Sequence, residues 1–204
     1  MAKLARHTGG FIAHASSSEM IGQMQILDMP DIQSAMAALM QEKSRLLEIV
    51  NEIHPVIVGL GGGAKDLEVR KIKTSPIGPF LVTHLIYDTR DAMGANAVNT
   101  ATERLAPLVE EITGGRVHLR ILSNLADRRL ASAQATFPAE VLAFGDYTGR
   151  QVCNGIIEAW AFAAVDPYRA ATHNKGIMNG VDAVVLATTN DWRAIEAGAH
   201  AYAA

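Results

Sequence analysis

From residue 20 to residue 125 the apolar residues change their spacing in a fixed order, and that order leaves few folds open. Ile21 to Leu27 alternates, with Met24 and Ile26 set against Gln23 and Gln25, the period of a half-buried strand. Pro30-Asp31 then opens a helix, with Asp31 as its cap. Ile32, Met36, Leu39, Met40, Leu46, Leu47, Val50 and Ile53 form its apolar stripe, with Gln41, Glu42, Arg45 and Glu48 on the wet side. Leu67 to Ile72 and Phe80 to Asp88 read as strands joined by the turn Ser75-Pro76-Ile77-Gly78-Pro79. A second helix is expected to start near Asp91 and to carry Ala97, Val98, Ala101, Leu105, Leu108, Val109 and Ile112 on one face. Gly114-Gly115 ends it, and Val117 to Ile121 alternates as a further strand. Strand, helix, strand, strand, helix, strand is the βαββαβ order of a ferredoxin-like domain.

Bulk properties narrow the function. A chain of 204 residues, 49% hydrophobic, can bury a sizeable core in one or two domains. A net charge of -3, with no Lys/Arg-rich run, gives no support to a nucleic-acid partner. Phe80 and Tyr87 are too few aromatics for an RNA-binding sheet. The single cysteine, Cys153, excludes an internal disulfide and reads as a buried structural thiol. No apolar run is long enough for a bilayer and no signal peptide is indicated, so a cytoplasmic protein without a membrane partner is expected. Gly59-Leu60-Gly61-Gly62-Gly63-Ala64 matches the dinucleotide pattern G-x-G-x-x-A only literally. Helix precedes it and strand follows, the reverse of what that motif needs, so these glycines read as a tight turn.

Two stretches near the C-terminal end carry the sharper chemistry: His173-Asn174-Lys175-Gly176 and Thr189-Asn190-Asp191-Trp192-Arg193. A lysine and an aspartate held together in a partly dry cleft can polarise a carbonyl and stabilise the oxyanion that forms on it. Read without context, Asp191 is a helix N-cap and Lys175 an ordinary loop lysine. Asp91-Ala92-Met93-Gly94-Ala95-Asn96, Ile121-Leu122-Ser123-Asn124-Leu125-Ala126-Asp127 and Asp166-Pro167-Tyr168-Arg169-Ala170-Ala171-Thr172-His173-Asn174-Lys175-Gly176 stand in this order along the chain. Together with the Asp191 stretch they make the chain resemble the 3-hydroxy-3-methylglutaryl-coenzyme A (HMG-CoA) reductases, in particular the bacterial class II enzymes, from its first residue to its last.

The resemblance implies an α+β protein in which residues 18–125 form a small ferredoxin-like dinucleotide-binding domain. This is inserted into a larger, discontinuous α/β domain, residues 1–17 and 126–204, that binds HMG-CoA. It implies reduction of HMG-CoA to mevalonate and CoA by two hydride transfers from NAD(H) or NADP(H), or the reverse oxidation, without a metal. Lys175 would hydrogen-bond the reacting oxygen, Asp191 would orient Lys175, Arg169 would pair with the substrate carboxylate, and Asn124 and Asn179 would line the same pocket. Asp91, Met93, Gly94 and Asn96 match the dinucleotide motif, where a helix N-terminus can receive the pyrophosphate. His54 would stand near the adenosine ribose where NADH-preferring relatives are expected to carry an acidic residue; it reads equally as an exposed histidine at a helix C-terminus. A homodimer, or an assembly of dimers, with the active site at the subunit interface is implied as well.

The family pattern also asks for a catalytic glutamate and a thiolate-protonating histidine, which match nothing between Met1 and Ala204; His200 reads as a surface or packing residue. The expectation is a central fragment lacking both ends, with little or no turnover alone. The alternative is a truncated, non-catalytic homologue that binds dinucleotide or partner subunits.

Overall fold

The computed structural model describes residues 2–6 and 9–203. Its elements in chain order are α1 (Ala2–Ala5), β1 (Ile12–Ala15), β2 (Glu19–Leu27), α2 (Ile32–Gln41), α3 (Lys43–Asn51), α4 (Pro55–Gly59), β3 (Gly63–Ile72) and β4 (Phe80–Asp88). They continue with α5 (Ala95–Thr113), β5 (Arg116–Leu122), β6 (Ala131–Gln134), α6 (Gly149–Val165), α7 (Pro167–Ala187) and α8 (Trp192–Ala203). The chain divides into two compact units, Ser16–Leu130 and the remainder on either side of it.

The Ser16–Leu130 unit is a four-stranded antiparallel sheet in the order β3-β4-β2-β5. With helices between β2 and β3 and between β4 and β5, this is the alternation expected from the sequence, and it agrees with a ferredoxin-like topology. Met20, Met24 and Ile26 of β2, Leu67 of β3 and Leu81, Leu85 and Tyr87 of β4 are buried in one core with Leu39, Leu46 and Val50. The same core takes Val98, Ala101, Leu105 and Val109 of α5. At Gly22 the helix comes so near the strand that a Cβ would lie 2.6 Å from Thr102 Cγ2 and 2.8 Å from Val98 Cγ1. Only a residue without a side chain admits this contact.

Two helix boundaries differ from the sequence expectation. The stripe from Ile32 to Ile53 is not one helix: it breaks at Glu42, where φ/ψ of -85/0 close α2 on an Ala38 hydrogen bond and start α3. Leu39 and Leu46 face the core from either side of that break. The second helix begins at Ala95 rather than near Asp91, because Thr89–Gly94 is wound into a turn of its own and Gly94, at φ +94, is the cap. Asp31 caps α2 as expected, accepting from the Ser34 N–H at 2.6 Å, and α5 closes on Gly114 in the left-handed conformation.

In the other unit β1 pairs antiparallel with β6, a short 3-10 helix spans Ala139–Leu142, and three helices follow. Thr148 and Gln151 form a reciprocal capping box on α6, and Asp166 caps α7. Cys153 is half-buried in α6. Among the described residues no helix is long and apolar enough to cross a membrane.

Candidate active site

At one end of the four-stranded sheet the Ser16–Leu130 unit gathers two turns. Gly61 and Gly63, both at positive φ, lead into β3, with α4 before them. The glycine run thus lacks the strand-then-helix context of a nucleotide fold, as its sequence context indicates. The second turn leaves β4 through Asp88, Thr89 and Arg90 and ends at Gly94. Its conformation is locked from within. Thr89 N–H donates to the Ser18 carbonyl at 3.0 Å, Thr89 Oγ1 donates to the Ala92 carbonyl at 3.0 Å, and Asp88 Oδ1 accepts from the Arg90 N–H at 2.9 Å.

Asp91, Met93 and Asn96 are exposed on this turn and the first turn of α5, and Gly94 is half-buried between them. No side chain caps the helix, so the N–H groups of its first turn are left to an outside acceptor. A Cβ on Gly94 would run into Thr89. His54 is not an exposed residue at a helix end. It is half-buried, caps the start of α4, and stands edge-on to Tyr87 with ring centroids 6.3 Å apart. His54 Nε2 and the Tyr87 hydroxyl are both buried without a hydrogen-bond partner. Asn124 lies exposed in the segment after β5, its carbonyl accepting from the Ala126 N–H at 3.0 Å.

In the other unit Arg169, Lys175 and Asn179 are all on α7, so Lys175 is a helical residue and not a loop lysine. Arg169 is in the first turn, where its N–H bonds the cap carboxylate of Asp166 at 2.7 Å. Lys175 Nζ donates to Asn179 Oδ1 at 3.1 Å, an i,i+4 pair that aims the ammonium along one face. Asp191 is the N-cap of α8. It accepts from the N–H groups of Arg193 and Ala194 and forms an ion pair with the Arg193 guanidinium at 3.1 Å, which is the first cause of its lowered pKa. Among the described residues no ion pair joins Lys175 to Asp191, so the cap and the lysine are each satisfied locally.

Sequence reasoning passed over two features. Glu196 of α8 has its pKa raised, first by the neighbouring Asp182 carboxyl of α7 and then by burial, while His200 and Lys175 pull the other way. Asp182 Oδ1 is buried without a hydrogen-bond partner. An acid on each of two successive helices gives no periodic signal that would reveal such a pair. Arg129 is the second feature: its guanidinium reaches back to the Thr89–Gly94 turn. The adjacent arginines Arg128 and Arg129 beyond the last strand were the available sign. Among the described residues no cluster of His, Cys, Asp or Glu could hold a metal ion.

The family model for hydroxymethylglutaryl-coenzyme A reductase matches residues 1–204. The 3-hydroxy-3-methylglutaryl-coenzyme A reductase of Archaeoglobus fulgidus is 52% identical over 203 residues, which are 100% of this chain and 45% of that protein. A solved structure of the Streptococcus pneumoniae reductase superposes with a TM-score of 0.93 at 44% identity, covering 98% of this chain and 54% of that one. Another, the class II reductase of the same organism bound to NADPH in open conformations, gives 0.93 at 45% identity, covering 98% of this chain and 48% of that one. The chain therefore spans about half the length of the relatives it matches.

Proposed function

The chain belongs to the hydroxymethylglutaryl-coenzyme A reductase family, and on that premise we propose that the protein it comes from interconverts HMG-CoA with mevalonate and free CoA. The observation that carries the proposal is the unbroken family match across residues 1–204, within which Lys175 and Asn179 meet at 3.1 Å on a helix that also bears Arg169. A bound NAD(H) or NADP(H) supplies or accepts the hydride in each of two steps; the NADPH of the pneumococcal relative supports that choice.

The chain's own residues do the rest. The uncapped first turn of α5, with Asp91, Met93, Gly94 and Asn96 around it, receives the pyrophosphate, because free N–H groups at a helix N-terminus favour an anion. His54, at the start of α4, stands near the adenosine ribose, where an imidazole does not repel a 2′-phosphate as a carboxylate would. Arg169 pairs with the substrate carboxylate through its planar fork, and Asn124 and Asn179 hydrogen-bond the hydroxymethylglutaryl group. Lys175 donates to the thioester oxygen, and later to the aldehyde oxygen, as negative charge grows there. Asp191 orients Lys175 once substrate is bound. Residues 18–125 act as the dinucleotide-binding domain and residues 1–17 with 126–204 as part of the HMG-CoA-binding domain. The assembly is a homodimer or a set of dimers with the active site at the subunit interface, and the protein works in the cytoplasm.

The test follows dinucleotide absorbance with HMG-CoA in the protein as its gene encodes it, and with mevalonate and CoA for the reverse direction. Steady turnover is expected, with Lys175→Ala lowering kcat by about a hundred- to a thousandfold. Wild-type protein that binds neither HMG-CoA nor a dinucleotide would remove the proposal. The 204-residue polypeptide alone is expected to turn over little or nothing, since a thiolate-protonating histidine and a catalytic glutamate match nothing within it.

A further inference from the structure

We propose that Arg129 is a positioning residue for dinucleotide binding, holding the Thr89–Gly94 turn in the form that the ligand meets. This rests on the reading that the turn and the start of α5 receive the dinucleotide. One guanidinium serves three acceptors of a single turn. Nη1 donates to Thr89 Oγ1 at 2.9 Å and to the Ala92 carbonyl at 2.8 Å, and Nη2 donates to the Arg90 carbonyl at 3.2 Å.

The turn needs such a clamp. Arg90 is at φ +54, a left-handed conformation that a side chain with a Cβ resists, and Gly94 follows at φ +94. Residues in that region stay there only when their surroundings over-determine them. The internal bonds of Thr89 and Asp88 fix the β4 end of the turn, and Arg129 fixes its middle from outside. With the carbonyls of residues 90 and 92 bound to Arg129, the backbone rotation that would swing them toward a ligand's phosphates is blocked. An anion arriving at the α5 N-terminus thus meets N–H groups and not carbonyl oxygens. Arg129 is itself anchored, its N–H donating to the Ala126 carbonyl at 3.0 Å, while its neighbour Arg128 is engaged elsewhere, by Glu19 and Glu68. A lysine could not replace it, because a single ammonium lacks the planar fork that spans separated carbonyls.

The experiment compares wild type, Arg129→Ala and Arg129→Lys in the protein as its gene encodes it. NADPH, NADH and HMG-CoA are titrated separately, and the unfolding midpoint is recorded for each variant. Arg129→Ala should weaken dinucleotide binding about tenfold, raising its KM with kcat at saturation retained, and leave HMG-CoA affinity unchanged. Arg129→Lys should recover only part of the loss, and it gives the answer if the alanine variant does not fold. Dinucleotide affinity equal to wild type in both variants would overturn the assignment. So would parallel losses for dinucleotide and HMG-CoA that track the unfolding midpoint. A wild-type protein that binds HMG-CoA but no dinucleotide would sink the underlying reading of the turn, and the role of Arg129 with it.

Discussion

The two units of this chain use apolar residues in opposite ways. Ser16–Leu130 buries its aliphatic side chains against one another, and Leu39, Leu67, Leu85, Leu105 and Val109 are fully enclosed. In the remainder only Ala5 and Met178 are buried apolar side chains among the described residues, while Trp160, Phe162, Val165, Tyr168, Ile177 and Val184 stand exposed along α6 and α7. Capping in the second unit is as complete as in the first, with Thr148, Asp166 and Asp191 all in place. Local signals therefore suffice to shape helices, whereas enclosure decides where free energy is stored. The apolar faces of α6 and α7 stand uncovered among the described residues.

That contrast yields its largest effect in the core. In the 204-residue polypeptide, Leu105→Ala should cost about 2–5 kcal/mol in urea unfolding, because it opens a cavity among side chains that cannot collapse fully. Trp160→Ala, at a position 62% exposed, should cost less than about 0.5 kcal/mol. Equal losses would break the comparison, since they would mean that α6 is enclosed in solution.

Gly94→Ala should come next, at about 1–3 kcal/mol, since an alanine there adopts a disfavoured φ and presses on Thr89. The loss should appear in the unfolding of the Ser16–Leu130 unit and, if the turn receives the dinucleotide as proposed, as weaker dinucleotide binding in the protein as its gene encodes it. An unchanged midpoint would show that the turn is slack.

A smaller effect depends on pH. Burial first, and then the positive charge of Arg70, hold His84 below its ordinary value of 6.5, so the folded state favours the neutral ring. Its Nε2 lies 2.8 Å from Gln23 Nε2 and 3.2 Å from Arg70 Nη1, an arrangement suited to an acceptor nitrogen. The unfolded chain binds this proton more readily. The contribution is therefore fully present above pH 6.5 and is lost as pH falls through the lowered folded-state value. Unfolding midpoints measured from about pH 7 down to about pH 5 should decline, and His84→Gln should flatten that slope. An unchanged slope would assign the decline to other groups. The smallest effect is expected for Arg193→Ala: the exposed guanidinium should move the unfolding midpoint of the polypeptide by no measurable amount.

Much of the first unit was legible because its periodicities are strong. The alternation of Met24 and Ile26 with the glutamines placed β2, Asp31 marked a helix start, and Gly114-Gly115 marked a stop. The break at Glu42 was not legible, since the stripe continues across it and Leu39 and Leu46 both still reach the core. Nor was the late start of α5, where a chain of side-chain and carbonyl contacts running to Arg129 outweighs the local capping preference of Asp91. Motif likeness singled out Lys175, Asn179 and Asp191 as site residues. That the Lys175 bond goes to Asn179, and the Asp191 bonds to its own helix and Arg193, depends on three-dimensional placement.

The contact between Gly22 and α5 has a consequence for genetics. A methyl group at residue 22 would displace Val98 and Thr102, which lie in the first turns of the helix that begins at Ala95. The helix can yield only by shifting as a body, and its leading end would shift with it. If the start of α5 receives the dinucleotide as proposed, a survey of variants scored on growth would record position 22, inside a strand, as though it were part of that site. Sensitivity to substitution in this protein need not fall off with distance from the ligand; it follows whatever backbone lever joins the two places.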